Sequence, residues 1–341
     1  MNAKLPPALS SLLIMMERGA VPFCHYSNPD YGRAEPQWID LTDLKKAVQF
    51  AQQRQLRLIC LLGRHLPPKS HASVLRDSKA VKIVPLKFPK PGNAAVRVLE
   101  FADAFAWEER RSVSLNDAIL RLERKDLGQL ISVFKSLALK VKRLNVCLTD
   151  IGTFQEIDFA HYREQLDLLA KIIAGFRWPA AGTECNLLTD RLMLRAMNNC
   201  DAGVKHVTVA PNGRFYLCPG FYHRDEADTL GGLESGFCPR NSRLWERDYS
   251  PICRECDAYQ CRRCLLLNKQ LTNEINIPSR QQCVTAHCER EASRKLLDEL
   301  RRRRPLNPAV AEAQIRRLDY LDPFELIQRR SRRNAKETKN N

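Results

Sequence analysis

The sequence predicts an α/β fold: a parallel sheet with covering helices, open or closed into a partial barrel, then a small Cys-rich metal-binding domain and a basic helical C-terminus. Three observations predict it. Short apolar runs alternate with helical stretches up to about residue 198, the pattern of repeated strand–helix units. Nine of the thirteen cysteines then fall between Cys200 and Cys288. From Glu289 onward helical periodicity returns, with runs of arginine.

In chain order, AVPFCHY (Ala20 to Tyr26) reads as a strand running into the loop SNPDYGRAEP. LTDLKKAVQFAQQRQ follows as a helix, with apolar positions at Leu44, Ala47, Val48 and Ala51. LRLICLLG is a buried strand ended by Gly63, and KAVKIVPLKF is another. AVRVLEFADA fits either state, whereas LNDAILRLE and KDLGQLISVFKSLALK read as helical. VKRLNVCLTD is a strand, FAHYREQLDLLAKIIAGFR a well-patterned helix, ECNLLTD a strand and RLMLRAM a short helix. Beyond Cys200, HVTVAP and RFYLCP are short strands joined by Pro211-Asn212-Gly213. The Asn-Gly pair signals a hairpin with a type I′ turn. EREASRKLLDELRRRR and AVAEAQIRRLDYLDPFELIQRR close the pattern as helices. The parts read as 1–198 (α/β), 199–290 (Cys-rich), 291–333 (basic helices) and 334–341 (disordered tail).

Composition narrows the function. The apolar run Leu12 to Met16 is too short to span a bilayer, no small-residue cleavage site follows it, and no other segment approaches a membrane helix. A cytoplasmic location is therefore expected, where a cysteine-rich chain binds metal or does chemistry rather than forming disulfides. The scattered cysteines Cys24, Cys60, Cys147 and Cys185 fit small core residues. A net charge of +16 favours an anionic partner. The basic runs Arg301 to Pro305 and Arg329 to Lys339 carry few aromatics, which reads as a solvated tail rather than an RNA-binding surface. Neither G-x-G-x-x-G nor G-x-x-x-x-G-K-[ST] is present, nor a Ser elbow or H-E-x-x-H.

The Cys-rich segment carries the chemistry. It runs Cys200-x12-Gly213-x4-Cys218, then Cys253-x2-Cys256-x4-Cys261-x2-Cys264, then Cys283 and Cys288. Each C-x-x-C pair can turn two sulfurs toward one ion. The hairpin brings Cys200 near Cys218, so thiolates from distant positions converge, in number sufficient for two four-coordinate centres.

This layout resembles the SPASM domain, the auxiliary iron–sulfur domain of radical SAM peptide-modifying enzymes, which reads C-x(9–15)-G-x4-C, C-x2-C-x5-C-x3-C, then C. Two spacings here are one residue shorter, x4 and x2. With VPFCHYSNP, CDAGVKHVTVAPNGRFYLCPGFYH and SPICRECDAYQCRRCLLLNKQLTNEINIPSRQQCVTAHCEREASRKLL, the chain resembles the CXXX repeat peptide maturases. The resemblance implies a degenerate radical-SAM-like partial (β/α) barrel before a SPASM-like domain. It further implies that Cys200, Cys218 and Cys264 share one centre, and Cys253, Cys256, Cys261 and Cys283 the other. Cys238 and Cys288 are candidates for the remaining coordination position, and His223 or His287 could substitute. The radical SAM motif C-x3-C-x2-C is absent; the matching loop has Cys24 as its single thiol, so no SAM-cleaving cluster is expected.

The implied function is maturation of a ribosomally synthesised, Cys-rich CXXX-repeat precursor peptide, beside a true radical SAM maturase, as an enzyme or as its non-catalytic partner. The implied cofactors are one or two iron–sulfur clusters of the 4Fe–4S type. Cys24 and His25 are the candidates for chemistry in the barrel mouth, although neighbours on a strand point to opposite faces. A second reading is a zinc-stabilised binding module that docks an acidic peptide, protein or nucleic acid, because paired C-x2-C knuckles are the ordinary format of structural zinc. The G-x4-C hairpin favours iron–sulfur over zinc.

Overall fold

A computed structural model describes residues 6–89, 95–106, 115–138, 140–176, 178, 182–303, 306, 308–317 and 322–325. The predicted tail 334–341 and the run Arg329 to Lys339 lie outside them. Among the described residues, nine strands form one sheet in the order β7-β6-β5-β4-β3-β2-β1-β8-β9. The first seven are β1 (Ser11–Met15), β2 (Arg57–Leu61), β3 (Val81–Pro85), β4 (Ala95–Glu100), β5 (Leu115–Leu122), β6 (Val141–Leu148) and β7 (Glu184–Cys185). Each runs parallel to its neighbour. Consecutive parallel strands require a crossover at each step. The helices that supply most of these are α1 (Leu41–Gln53), α2 (Lys69–Asp77), α3 (Phe101–Ala106), α4 (Leu130–Leu137) and α5 (Glu156–Gly175). This is the partial barrel expected from the sequence.

The helices form where apolar spacing and caps agree. Asp40 caps α1 by accepting the Thr42 N–H at 2.7 Å, and Leu44, Ala47, Val48 and Ala51 are buried along one stripe. In α5 the buried stripe is Phe159, Tyr162, Leu166, Leu169, Ala170 and Ile173.

Three elements differ from expectation. The helix expected over AVAEAQIRRLDYLDPFELIQRR is not continuous: it is present as Pro308–Ala311, and residues 313–317 are irregular. The first strand is Ser11–Met15, with Leu12, Ile14 and Met15 fully buried, and residues 20–26 form an irregular loop instead. The five-residue run that is too short for a membrane is the right length for a strand buried on both faces. LNDAILRLE is β5, not a helix. Its Leu115, Ala118, Ile119 and Leu122 fit a helical stripe, but Ala118, Leu120 and Leu122 also fit period two, and pairing with β4 and β6 decides.

The Cys-rich segment begins by extending the same sheet. α6 (Thr189–Met193) leads into it. β8 (His206–Val209) pairs parallel with β1, Ser11 opposite His206, and β9 (Phe215–Tyr216) folds back antiparallel. The turn between them is not type I′. The Gly213 N–H bonds to the Ala210 carbonyl at 3.0 Å, and Gly213 has φ +71° while Asn212 is not left-handed. Pro211, with its fixed φ, sets a type I turn followed by a left-handed glycine. Beyond it come α7 (Pro219–Arg224), the two-strand ribbon β10 (Gly231–Gly232) and β11 (Gly236–Phe237), α8 (Leu265–Thr272), α9 (Arg280–Arg303) and α10 (Pro308–Ala311). Helix α9 starts nine residues before Glu289, which puts Cys283 and Cys288 on it. No helix among the described residues is long and apolar enough to cross a membrane.

The loop after β1 is clamped to the end of β2. Buried Glu17 accepts the Gly63 N–H at 2.7 Å, and a Cβ at Gly63 would meet that carboxylate and lie 2.5 Å from the Gly19 carbonyl oxygen. Gly63→Ala is therefore expected to destabilise the fold by about 2 kcal/mol, read as a lower urea midpoint with an unchanged slope.

Candidate metal centres

The knuckle Cys253 to Cys264 is a chain of tight turns. The Cys256 N–H bonds to the Cys253 carbonyl at 3.1 Å, and that of Cys261 to the Ala258 carbonyl at 2.9 Å. Two backbone N–H groups turn onto sulfur: Ala258 toward Cys256 and Arg263 toward Cys261, both at 3.4 Å. Cys283 joins this set from α9. Burial pushes the Cys283 thiol well up, and Cys261, Cys253 and Cys256 add to the effect, so these four thiols are electrostatic neighbours. Burial and then Cys253 raise Cys261 in the same way. His287 also reaches this set, its Nε2 lying 3.6 Å from Cys256 Sγ.

Arg263 stands between the two groups of cysteines. It is buried at φ +46° and donates from Nη1 to the Trp245 carbonyl at 2.6 Å. Past it the chain turns toward a second set. The Cys200 N–H bonds to the Arg262 carbonyl at 2.6 Å, tying Cys200 to the residue two before Cys264. The Cys264 N–H is held by Gln282 Oε1 at 2.9 Å. Cys218 and Cys264 are the residues that cap α7 and α8. Burial, then Cys264 and Cys200, raise the Cys218 thiol. Cys200, Cys218 and Cys264 are thus neighbours of one another, as Cys253, Cys256, Cys261 and Cys283 are among themselves.

The other candidates separate. Cys238 follows β11 and is exposed. Cys288 is fully buried and turned toward α5; burial pushes its thiol up to about 11, with Arg163 and Glu289 the nearest charges. His223 stacks on Tyr26 with centroids 5.8 Å apart, and burial takes it down to about 4. Cys24 and His25 do not face each other as a pair. His25 Nδ1 donates to the Leu148 carbonyl at 2.8 Å and lies 3.5 Å from Cys147 Sγ. Arg121 fixes the same loop, donating from Nη1 to the Cys24 and Tyr26 carbonyls at 2.5 and 3.1 Å. The core reading holds for Cys60 and Cys185, both fully buried.

As they stand, among the described residues no three His, Cys, Asp or Glu side chains close around a single ion. The donor chemistry nevertheless fits a thiolate centre. Soft sulfur donors suit iron–sulfur clusters and zinc. Thiols held above their ordinary value by burial and by one another are groups that a cation would deprotonate and bind.

Several residues of the site carry no sequence signal. Asp257, inside the knuckle, meets Arg290 Nη1 at 2.6 Å, Arg191 Nη2 at 3.4 Å and Arg316 Nε at 3.5 Å. Glu289 accepts the Tyr162 hydroxyl at 2.8 Å and Gln260 Nε2 at 3.3 Å, and burial pushes its carboxyl up to about 7. An acidic residue inside a cysteine knuckle is the one clue that Asp257 offers. Asp257→Asn leaves two buried guanidinium groups without their carboxylate and is expected to cost about 3 kcal/mol, measured by urea unfolding of the metal-free chain.

No protein-family model and no curated protein matches the sequence. Among solved structures, the chain is similar to histidine-tagged anSMEcpe with bound AdoMet, at a TM-score of 0.58 and 9% identity, over 85% of this chain and 98% of that one. Streptococcus suis SuiB aligns at a TM-score of 0.45 and 11% identity. The match covers 81% of this chain and 75% of SuiB in the structure bound to S-adenosylmethionine, and 81% and 77% in a second SuiB structure. The likeness to anSMEcpe extends over nearly all of that protein and establishes a shared fold: the radical-SAM-like α/β partial barrel.

Proposed function

We propose that this protein takes part in the maturation of a ribosomally synthesised, Cys-rich CXXX-repeat peptide, as a SPASM-type protein that carries two auxiliary iron–sulfur centres. One observation carries the reading. Two groups of neighbouring thiols, Cys200/Cys218/Cys264 and Cys253/Cys256/Cys261/Cys283, follow a barrel whose fold is shared with anSMEcpe.

The residues divide the work. The seven cysteines supply thiolate ligands, and Arg263, set between the groups, offsets negative charge on Cys253 and Cys261. The clusters, when bound, supply one-electron chemistry. The Cys24–Tyr26 loop is pinned to β5 by Arg121 and to the end of β6 by His25. Glu289, with Tyr162 and Gln260 holding its two oxygens, can keep a proton near neutral pH beside His25. The peptide partner and a companion radical SAM maturase belong to this proposal.

The chain purified without oxygen is expected to carry about eight iron and about eight sulfide, with broad absorption near the visible edge. A labelled peptide of several Cys-x-x-x repeats is expected to bind about tenfold more tightly than its all-serine version, a difference of about 1.4 kcal/mol. Stoichiometric zinc without sulfide, together with equal affinity for the two peptides, would favour the zinc-stabilised docking module instead.

A further inference from the structure

Helix α9 turns more than Cys283 toward the knuckle. His287 follows Cys283 by four residues and Arg290 follows His287 by three, so the three share one face of the helix. All three are buried. The last two meet the knuckle at adjacent residues. His287 Nε2 lies 3.6 Å from Cys256 Sγ, and Arg290 Nη1 donates to Asp257 Oδ1 at 2.6 Å.

A third contact joins these two side chains to each other. Arg290 Nη2 lies 3.5 Å from His287 Nδ1. A guanidinium has N–H donors and no acceptor, so Nδ1 must accept and carries no proton. The ring proton is then on Nε2, the nitrogen that faces Cys256. Asp257 keeps the arginine in place, since its carboxylate binds the other end of the same guanidinium. The imidazole therefore presents an N–H to the sulfur rather than a lone pair. Cys256 Sγ also accepts the Ala258 N–H at 3.4 Å, and His287 adds a donor from a different element.

This arrangement leaves His287 no nitrogen with which to hold a metal. Nδ1 is taken by Arg290, and an Nε2 that bears hydrogen has no lone pair in the ring plane. What the ring can do is hydrogen-bond a thiolate. Hydrogen bonds to the sulfurs of an iron–sulfur cluster help to set its reduction potential. A donor draws negative charge off the ligand, which favours the reduced, more negative cluster. Partners outside the ligand set also fix how a ligand is oriented.

We propose that His287 is a positioning residue of the Cys253/Cys256/Cys261/Cys283 centre. Its Nε2–H, held in that tautomer by Arg290, donates to Cys256 and raises the reduction potential of the centre. The proposal rests on reading this thiol group as an iron–sulfur centre. It gives His287 a hydrogen-bonding role in place of the substitute ligand that the sequence allows.

The test compares the full chain, purified without oxygen, with His287→Phe and His287→Gln, by iron and sulfide analysis and by redox titration of the cluster spectra. Phenylalanine keeps a ring but has no N–H, whereas the glutamine amide restores a donor near the position of Nε2. His287→Phe is expected to keep full iron and sulfide while one potential falls by about 59 mV, a tenfold shift of a one-electron equilibrium. The other potential stays in place, and His287→Gln recovers most of the fall. Loss of one centre's iron in both variants marks His287 as a ligand and overturns the proposal. Full iron with both potentials unchanged in His287→Phe overturns it alone and leaves the metal reading standing. Should His287→Phe fail to fold, nitrogen-15 NMR of the histidine-labelled full chain decides the tautomer, with the His287 signals assigned from His287→Gln. A proton on Nε2 and none on Nδ1 is expected, and a proton on Nδ1 overturns the proposal. A chain that holds zinc without sulfide, or no metal, overturns the iron–sulfur reading and the effect on potential with it.

Discussion

Asp257 sits where four parts of the chain meet, and its carboxylate answers three arginines there. Arg191 comes from α6 at the end of the barrel, Arg290 from α9, and Arg316 from the segment after α10. Because Arg191 and Arg290 are almost wholly buried, their charge must be balanced inside the fold. The residue that balances it lies between Cys256 and Cys261, in the turn that sets the direction of the knuckle sulfurs. Stacking of Arg191 on Tyr259, 4.3 Å from the ring centroid, fixes the same turn from the other side. The position of this thiol group is thus tied to the barrel through charge, independently of any metal.

This changes how the chain's positive charge is understood. A net charge of +16 suggests an anionic partner. Several arginines are instead engaged within the structure: Arg121, Arg191, Arg263 and Arg290 are all buried. Arg121 reaches Glu100 at 3.0 Å and two loop carbonyls, and Arg263 caps the carbonyls of Leu244, Trp245 and Glu246. Counting charges overstates the basic surface wherever guanidinium groups bind backbone oxygen. Planar, strongly hydrogen-bonding arginine suits that task better than lysine.

The fold is legible in the sequence where local pattern and tertiary context agree. The stripes of α1 and α5, the apolar strand β2 and the hairpin of β8 and β9 need only local periodicity and turn residues. β5 escapes such a reading because its apolar positions satisfy both periods, and neighbouring strands supply the deciding hydrogen bonds. β1 escapes it because a buried parallel strand has no alternation to betray it. For the site, the number of clustered cysteines suffices for two centres, and the resemblance to the SPASM domain implies how they divide. What spacing does not show is the approach of the Cys24 loop to α7 and α8, because it depends on the absence of a side chain at Gly220. Nor does it show the pairing of Asp257 with arginines far away in sequence.

The placement of β8 beside β1 has a consequence for how the chain is made. β1 is an inner strand, bonded on one side to β2 and on the other to β8, with Ser11 opposite His206. At the usual pace of synthesis, about 5–20 residues per second, roughly 10–40 s separate the appearance of these partners. Throughout that interval the β8-facing edge of β1 carries unpaired backbone groups, the kind of edge that recruits foreign strands. The last part of the sheet to arrive is also the part that brings in the cysteine hairpin. Sealing the apolar edge and bringing in the cysteine hairpin thus belong to the same late stage of folding.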